Sequence, residues 1–220
     1  MYMTKQEIAN RITEIGIVPV IRAASPKRAL QAAEAVCAGG IPIVEVTMTV
    51  PGAIEVIAQL SKSMGSEVLI GAGTVLDAAT AQRCIDAGSE FIVSPGFDLE
   101  TVKFANAAGK LMMAGALTPT EVIAAWKAGS DFVKIFPCGS VGGAKYIKAL
   151  KGPLPQVPMI PTGGVNLNTA ADFILAGAAA LGVGGELVSA SALESGDTAP
   201  ITEAARALVA IIRSVRGTAK

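Results

Sequence analysis

A chain of 220 residues is long enough to bury one sizeable core, and with 51% hydrophobic but only 4% aromatic residues that core must be built from Ala, Val, Ile and Leu. The 18 Lys+Arg balance 18 Asp+Glu with no basic stripe, which argues against a nucleic-acid partner. There is no histidine, so the imidazole ligands on which zinc and most other transition-metal enzymes lean are missing, and Cys37, Cys84 and Cys138 fit neither a disulfide framework nor a CxxC motif.

Residues 3–15 carry apolar positions Ile8, Ile12 and Ile15 at helical spacing, which predicts a helix under the floor of whatever fold follows. This N-terminus lacks the features of a secretory signal. No apolar run approaches the roughly 20 residues of a membrane span, so the reading is a cytoplasmic protein with no membrane partner. Eight short β-branched runs then alternate with Ala-rich helical periods. The strands are expected at Ile17 to Arg22, Ile43 to Thr49, Val68 to Gly73, Phe91 to Pro95, Leu111 to Ala116, Phe132 to Pro137, Met159 to Thr162 and Ala180 to Gly184. Their spacing leaves room for a strand, two short loops and a helix of about three turns, the unit of a (β/α)8 TIM barrel. One such domain over residues 1–220, with its N-terminal capping helix, is the expectation. A doubly wound open sheet is the alternative, but it normally uses fewer units.

Helix starts are marked by Ser25-Pro26, Pro51, Asp77 and Thr118-Pro119, and stops by Gly39-Gly40, Gly88, Gly109, Gly129 and Gly177. Cys37 and Cys84 fall on helix faces and read as core. Ser191 to Pro200 reads as a polar linker to the last helix, and Arg216 to Lys220 as a fraying end.

In such a barrel the chemistry lies where strands end. Lys134 sits in the apolar run Asp131-Phe-Val-Lys-Ile-Phe-Pro137, and a desolvated amine so placed is a candidate to attack a ketone and hold it as a Schiff base. By the period-two rule Glu45, Thr47 and Thr49 share one face, and Lys134 shares a face with Phe136. If both faces point inward, Glu45 and Lys134 form either a structural ion pair or a catalytic couple. Arg22 at the end of the first strand favours catalysis, because a fixed cation nearby favours the neutral amine and could grip a substrate carboxylate. Thr162-Gly163-Gly164 and Gly182-Val-Gly184-Gly185 follow the last two strands, where barrels commonly bind phosphate; the same glycines equally suit plain tight turns. Thr74 and Thr162 read either as strand-end caps or as hydroxyls that reach a bound carboxylate or carbonyl. Phe136 is either core packing or a wall that keeps water from an imine.

At these residues the chain resembles the 2-keto-3-deoxy-6-phosphogluconate / 4-hydroxy-2-oxoglutarate (KDPG/KHG) aldolases, which are class I, Schiff-base lyases. The likeness runs from Ile17 to Val188 through Glu45-Val-Thr, Gly71-Ala-Gly-Thr74, Ser94-Pro-Gly, Lys134-Ile-Phe-Pro and Pro161-Thr-Gly-Gly164, in order and at fitting intervals. The resemblance implies a (β/α)8 barrel, usually a homotrimer, in which Lys134 forms the imine and Glu45 moves protons. Thr74 and Thr162 would contact the pyruvoyl part, Pro95 and Phe136 would line the pocket, and the Gly163-Gly164 and Gly184-Gly185 turns would hold a distal phosphate. Thr47, on the Glu45 face, joins the substrate-binding candidates. Two departures stand out. Where many members carry an arginine after Glu-Val-Thr, this chain has Thr49-Val50-Pro51, leaving Arg22 to supply the cation. Glu186 stands where a phosphate-binding serine often follows the last Gly-Gly pair.

The expected reaction is cleavage of a 2-keto-3-deoxy-6-phospho sugar acid to pyruvate and glyceraldehyde 3-phosphate, or of 4-hydroxy-2-oxoglutarate to pyruvate and glyoxylate. The small 2-keto acid is the partner, with neither metal nor organic cofactor. An aldolase for an unphosphorylated 2-keto-3-deoxy acid is an alternative. So are a phosphate-binding barrel isomerase or epimerase with Glu45 as base, and a non-catalytic barrel in which Lys134 and Glu45 merely pair.

Overall fold

The computed structural model describes residues 3–65 and 67–218. Eight parallel strands form one sheet in the order β7-β6-β5-β4-β3-β2-β1-β8. They are β1 (Ile17–Ile21), β2 (Ile43–Thr47), β3 (Leu69–Gly73), β4 (Phe91–Val93), β5 (Leu111–Ala116), β6 (Phe132–Ile135), β7 (Met159–Pro161) and β8 (Leu181–Val183). A lone bridge between Thr162 and Gly182 brings β7 against β8 and closes the circle, so the (β/α)8 barrel is as expected. Every strand residue is buried, as befits strands covered on both faces, which is why they read as near-continuous apolar runs.

The expected strands run one or two residues long at most of their C-terminal ends. Arg22, Thr49, Pro95, Phe136 and Gly184 lie just beyond their strands, at the mouth, and Thr162, just past β7, still bridges to Gly182. At the other end, Val68 and Ala180 precede their strands.

The helices begin and end for local reasons. Ser25, Asp77 and Thr118 cap α2 (Pro26–Ala38), α4 (Ala78–Asp86) and α6 (Pro119–Lys127) through their side chains, the last with a capping box to Glu121. By contrast α3 (Ala53–Met64) starts from Gly52 without a side-chain cap. Gly40, Gly88, Gly109, Gly129 and Gly177 all take positive φ after their helices, the conformation that stops a helix without a steric penalty. Cys84 is buried as expected, whereas Cys37 is only half-buried.

The N-terminal helix α1 (Lys5–Ile15) packs against β1 and β5 with Ile8 and Ile12 buried. Its Lys5 pairs with Asp131, at 2.9 Å, just before β6, and this seats the helix at the N-terminal end of the barrel. The segment expected as a polar linker contains a further helix, α9 (Ala190–Ser195), capped by Ser189 with Ala192 and Leu193 buried; local polarity hid an amphipathic turn. The last helix, α10 (Ala199–Thr218), packs against α2 and α8 (Ala170–Leu175). The expectation that the chain frays from Arg216 is corrected. Its guanidinium donates to Thr13 O (2.6 Å), Glu14 O (2.8 Å) and Ala179 O (3.0 Å), so it satisfies carbonyls left open at the end of α1. Residues 219–220 of that expectation lie outside the described residues. Among the described residues no helix is long and apolar enough to cross a membrane.

Candidate active site

Neighbouring strands place matched residues on the same face. Register pairs Val20 with Glu45, Glu45 with Gly71, and Gly115 with Lys134 with Ile160. Glu45 and Lys134 both face the barrel interior, and they are the two buried charged residues among those described. Lys134 Nζ lies 3.8 Å from Glu45 Oε1, an ion-pair distance too long for a hydrogen bond, and it stands 5.6 Å from the centre of the half-buried Phe136 ring. Glu45 Oε1 has no hydrogen-bond partner. A buried carboxylate oxygen without a hydrogen bond is costly, and the group that faces this one is the Lys134 amine. Burial pushes the Glu45 carboxyl above its ordinary value, and the charges of Lys134 and then Arg22 pull it part of the way back. A carboxyl raised in this way gains and loses a proton closer to neutrality, which is what a proton shuttle needs.

Glycines on the inner face make the room. A β-carbon on Gly73 would overlap the Glu45 carboxylate, one on Gly182 would overlap the Thr162 hydroxyl, and one on Gly115 would overlap the backbone of Pro95. The Ser94 hydroxyl, donating to Gly96 O (2.6 Å) and accepting from Gly115 N (3.3 Å), holds the Pro95-Gly96 loop back over the end of β5, beside Lys134. Glycines at inward positions within strands are legible as a pattern, but only as turns and gaps; which side chain each one admits is decided by strands distant in sequence.

Around this centre, Thr74 holds φ 59°, the one positive φ on a non-glycine among the described residues. Such strain costs on the order of 1–3 kcal/mol and persists where the surroundings impose it, here at the mouth, directly after β3. Thr162 is buried, and the ladder continues past it: Cys138 N donates to Thr162 O and Gly139 N to Gly163 O, both at 2.9 Å. Gly163 and Gly164 take φ 89° and 76°, and a β-carbon on Gly164 would approach Gly139 Cα to 2.8 Å, so this loop passes the one after β6 at backbone contact. Gly184 is half-buried, while Gly185 and Glu186 are exposed at the rim. Arg22 is exposed and lines a recess of about 250 Å³ with Arg28, Thr49, Leu193 and Glu194.

Thr47 is where the geometry departs from the expected substrate contact. It has no exposed surface, and its hydroxyl bonds to Ile21 O (2.9 Å) and to the Thr49 hydroxyl (2.6 Å). Its hydroxyl is therefore already engaged by other groups of the protein.

The family model for KDPG and KHG aldolase matches residues 8–204. The chain is 33% identical to the 2-dehydro-3-deoxy-phosphogluconate aldolase of Treponema pallidum, over 93% of this chain and 97% of the relative. It is 36% identical to the KHG/KDPG aldolase of Escherichia coli, over 88% and 90%. Its structure superposes at TM-score 0.84 and 32% identity on the KDPG aldolase of Legionella pneumophila, covering 91% of this chain and 97% of that one. That protein was crystallised with pyruvate captured at low pH as a covalent carbinolamine intermediate.

Proposed function

This chain belongs to the KDPG and KHG aldolase family, and from that membership and the buried Lys134–Glu45 pair we propose that it cleaves 2-keto-4-hydroxy acids through an imine on Lys134. The observation that carries the reading is the unpartnered Glu45 Oε1, 3.8 Å from the amine. The gap suits a reacting oxygen that would accept or donate a proton there.

In this mechanism Glu45 takes a proton from Lys134, and the uncharged Nζ attacks the C2 ketone, one amine proton passing to the ketone oxygen to give a carbinolamine. Glu45 gives a proton to the departing hydroxyl, water leaves, and a protonated imine remains. The Glu45 carboxylate then takes the C4 hydroxyl proton. As the C3–C4 bond breaks, its electron pair moves into the iminium, releasing an aldehyde and leaving an enamine. Protonation at C3 and hydrolysis give pyruvate and free Lys134. Arg22 balances the substrate carboxylate, Thr74 and Thr162 offer hydroxyls to the pyruvoyl part, and Pro95 and Phe136 wall it from water.

The substrates proposed are 2-keto-3-deoxy-6-phosphogluconate, giving pyruvate and glyceraldehyde 3-phosphate, and 4-hydroxy-2-oxoglutarate, giving pyruvate and glyoxylate. The Gly163-Gly164 and Gly184-Gly185 turns would receive the distal group. Exposed Glu186, beside the second turn, favours an unphosphorylated 2-keto-3-deoxy acid as the second reading, since a carboxylate repels phosphate. A homotrimer and a cytoplasmic setting, both carried by the resemblance and the sequence reading, belong to the same proposal.

Borohydride reduction in the presence of pyruvate should mark the peptide bearing Lys134, as read by mass mapping; an adduct on another lysine, or none, ends the assignment. An assay panel of phosphorylated and unphosphorylated acids then ranks the substrates by kcat/KM. A separate expectation concerns the slot under the carboxylate. Gly73→Ala should lower kcat roughly 100-fold, the scale of a 1 Å misplacement of a reacting group, while circular dichroism stays that of the parent. Unchanged turnover in a folded Gly73→Ala protein would mean that Glu45 need not sit where it is found.

A further inference from the structure

The hydroxyl of Thr47 has one proton and two neighbours. Its bond to Ile21 O, at 2.9 Å, must be a donation because a carbonyl only accepts. The 2.6 Å contact between the Thr47 and Thr49 hydroxyls then takes its proton from Thr49. The direction of the relay is therefore set: Thr49 donates to Thr47, and Thr47 donates to Ile21 O. The Thr49 oxygen is left with lone pairs only, and Thr49 is exposed on the recess that it shares with Arg22.

Both ends of this relay bear on Arg22. Ile21 is the last residue of β1, its register partner on β2 is Val46, and its carbonyl belongs to the peptide bond that leads into Arg22. The Thr47 hydroxyl thus extends the tie between β1 and β2 one step past the ladder, at the point where the chain carrying Arg22 leaves the sheet. Thr49 and Arg22 line one recess, so an acceptor-only oxygen and a donor-only guanidinium, complementary in hydrogen bonding, border the same space. Among the described residues neither Arg22 nor Arg28 makes an ion pair within 4.0 Å, so nothing else of that kind holds Arg22 in place.

We infer that Thr47 and Thr49 are positioning residues that set the backbone and guanidinium of Arg22 at the barrel mouth for an anionic group of the substrate. The inference rests on the reading of Arg22 as the carboxylate-binding cation. It assigns Thr49 the task of orienting an arginine supplied by the neighbouring strand.

The test is a kinetic double-mutant cycle on the full chain with a 2-keto-4-hydroxy acid as substrate. Thr47→Val keeps the shape and removes the hydroxyl; KM should rise about tenfold with kcat within about twofold, and Thr47→Ser should restore KM. In an Arg22→Ala background, Thr47→Val should change KM no further. An unchanged KM in Thr47→Val, a fall in kcat instead, or a full multiplicative effect on top of Arg22→Ala overturns the relay while leaving the Arg22 reading intact. If Arg22→Ala itself leaves KM unchanged, the carboxylate reading fails and the relay falls with it. Should Thr47→Val not fold, Thr49→Val on an exposed residue decides the matter: a KM rise that vanishes in the Arg22→Ala background supports the inference, and no rise overturns it.

Discussion

Replacing Lys134 by Met removes all borohydride-trappable pyruvate and lowers kcat on the order of 10⁴-fold or more, the scale on which enzymes lose rate with their nucleophile. The isomerase or epimerase reading, with Glu45 as base, and the reading of a non-catalytic barrel predict otherwise. The first keeps its activity without Lys134, and the second has none to lose. Stability moves separately from activity. Lys134→Met strips a buried carboxyl of the charge that pulls its pKa down, so the Glu45 pKa, already raised by burial, shifts further up. Removing both charges, as Lys134→Met with Glu45→Leu, should make the inactive barrel more stable than the parent by about 1–4 kcal/mol in urea unfolding, since well-packed apolar groups commonly outdo a buried ion pair. A double variant less stable than its parent would show that the pair contributes to holding the barrel together.

Glu45→Gln is expected to lower kcat roughly 10²- to 10⁴-fold, the usual contribution of a positioned acid–base group, while pyruvate is still trapped, if slowly, on Lys134. The parent's kcat/KM should fall on the acid side through a pKa above the ordinary carboxylate value, because desolvation dominates the environment of Glu45; that limb should vanish in the glutamine variant. The stability counterpart has a definite sign. A carboxyl whose folded pKa lies above its unfolded value of about 4.5 binds its proton more tightly in the fold. Between those two values the native state holds more protons than the unfolded state, so stability falls as pH rises through that window and levels off above it. Glu45→Gln should therefore gain on the parent as pH climbs through the window and match it below. An acid limb that persists in the variant would assign it to another group.

Much of this was legible in the chain because the signals are short-range. A capping serine before a proline at Pro26, the capping box from Thr118 to Glu121, and glycines such as Gly88 and Gly129 after their helices act within a turn or two, and they divide the chain into its βα units. The period of two groups Glu45 with Thr47 and Lys134 with Phe136 once the strands are found, and an apolar run holding one lysine marks that lysine as exceptional, whereas the structure turns both faces inward. Polarity alone is a poorer guide in the segment that forms α9, which packs against α2 and α10 with Ala192 and Leu193 buried. The end of the chain escapes local reading for a related reason: Arg216 is held by carbonyls of α1 at the other end of the sequence.

The sequence by itself determined the number and order of the βα units, the sharing of a strand face by Glu45 with Thr47 and by Lys134 with Phe136, and the glycines that turn the chain at the mouth, because each depends on residues next to one another. Only the tertiary structure decided that Gly73 is the slot for Glu45, that Gly182 admits Thr162, that the Thr47 hydroxyl bonds to a backbone carbonyl, and that one oxygen of the Glu45 carboxyl makes no hydrogen bond. Those facts depend on how far each strand is staggered against its neighbours when the sheet closes, and no local pattern encodes that stagger.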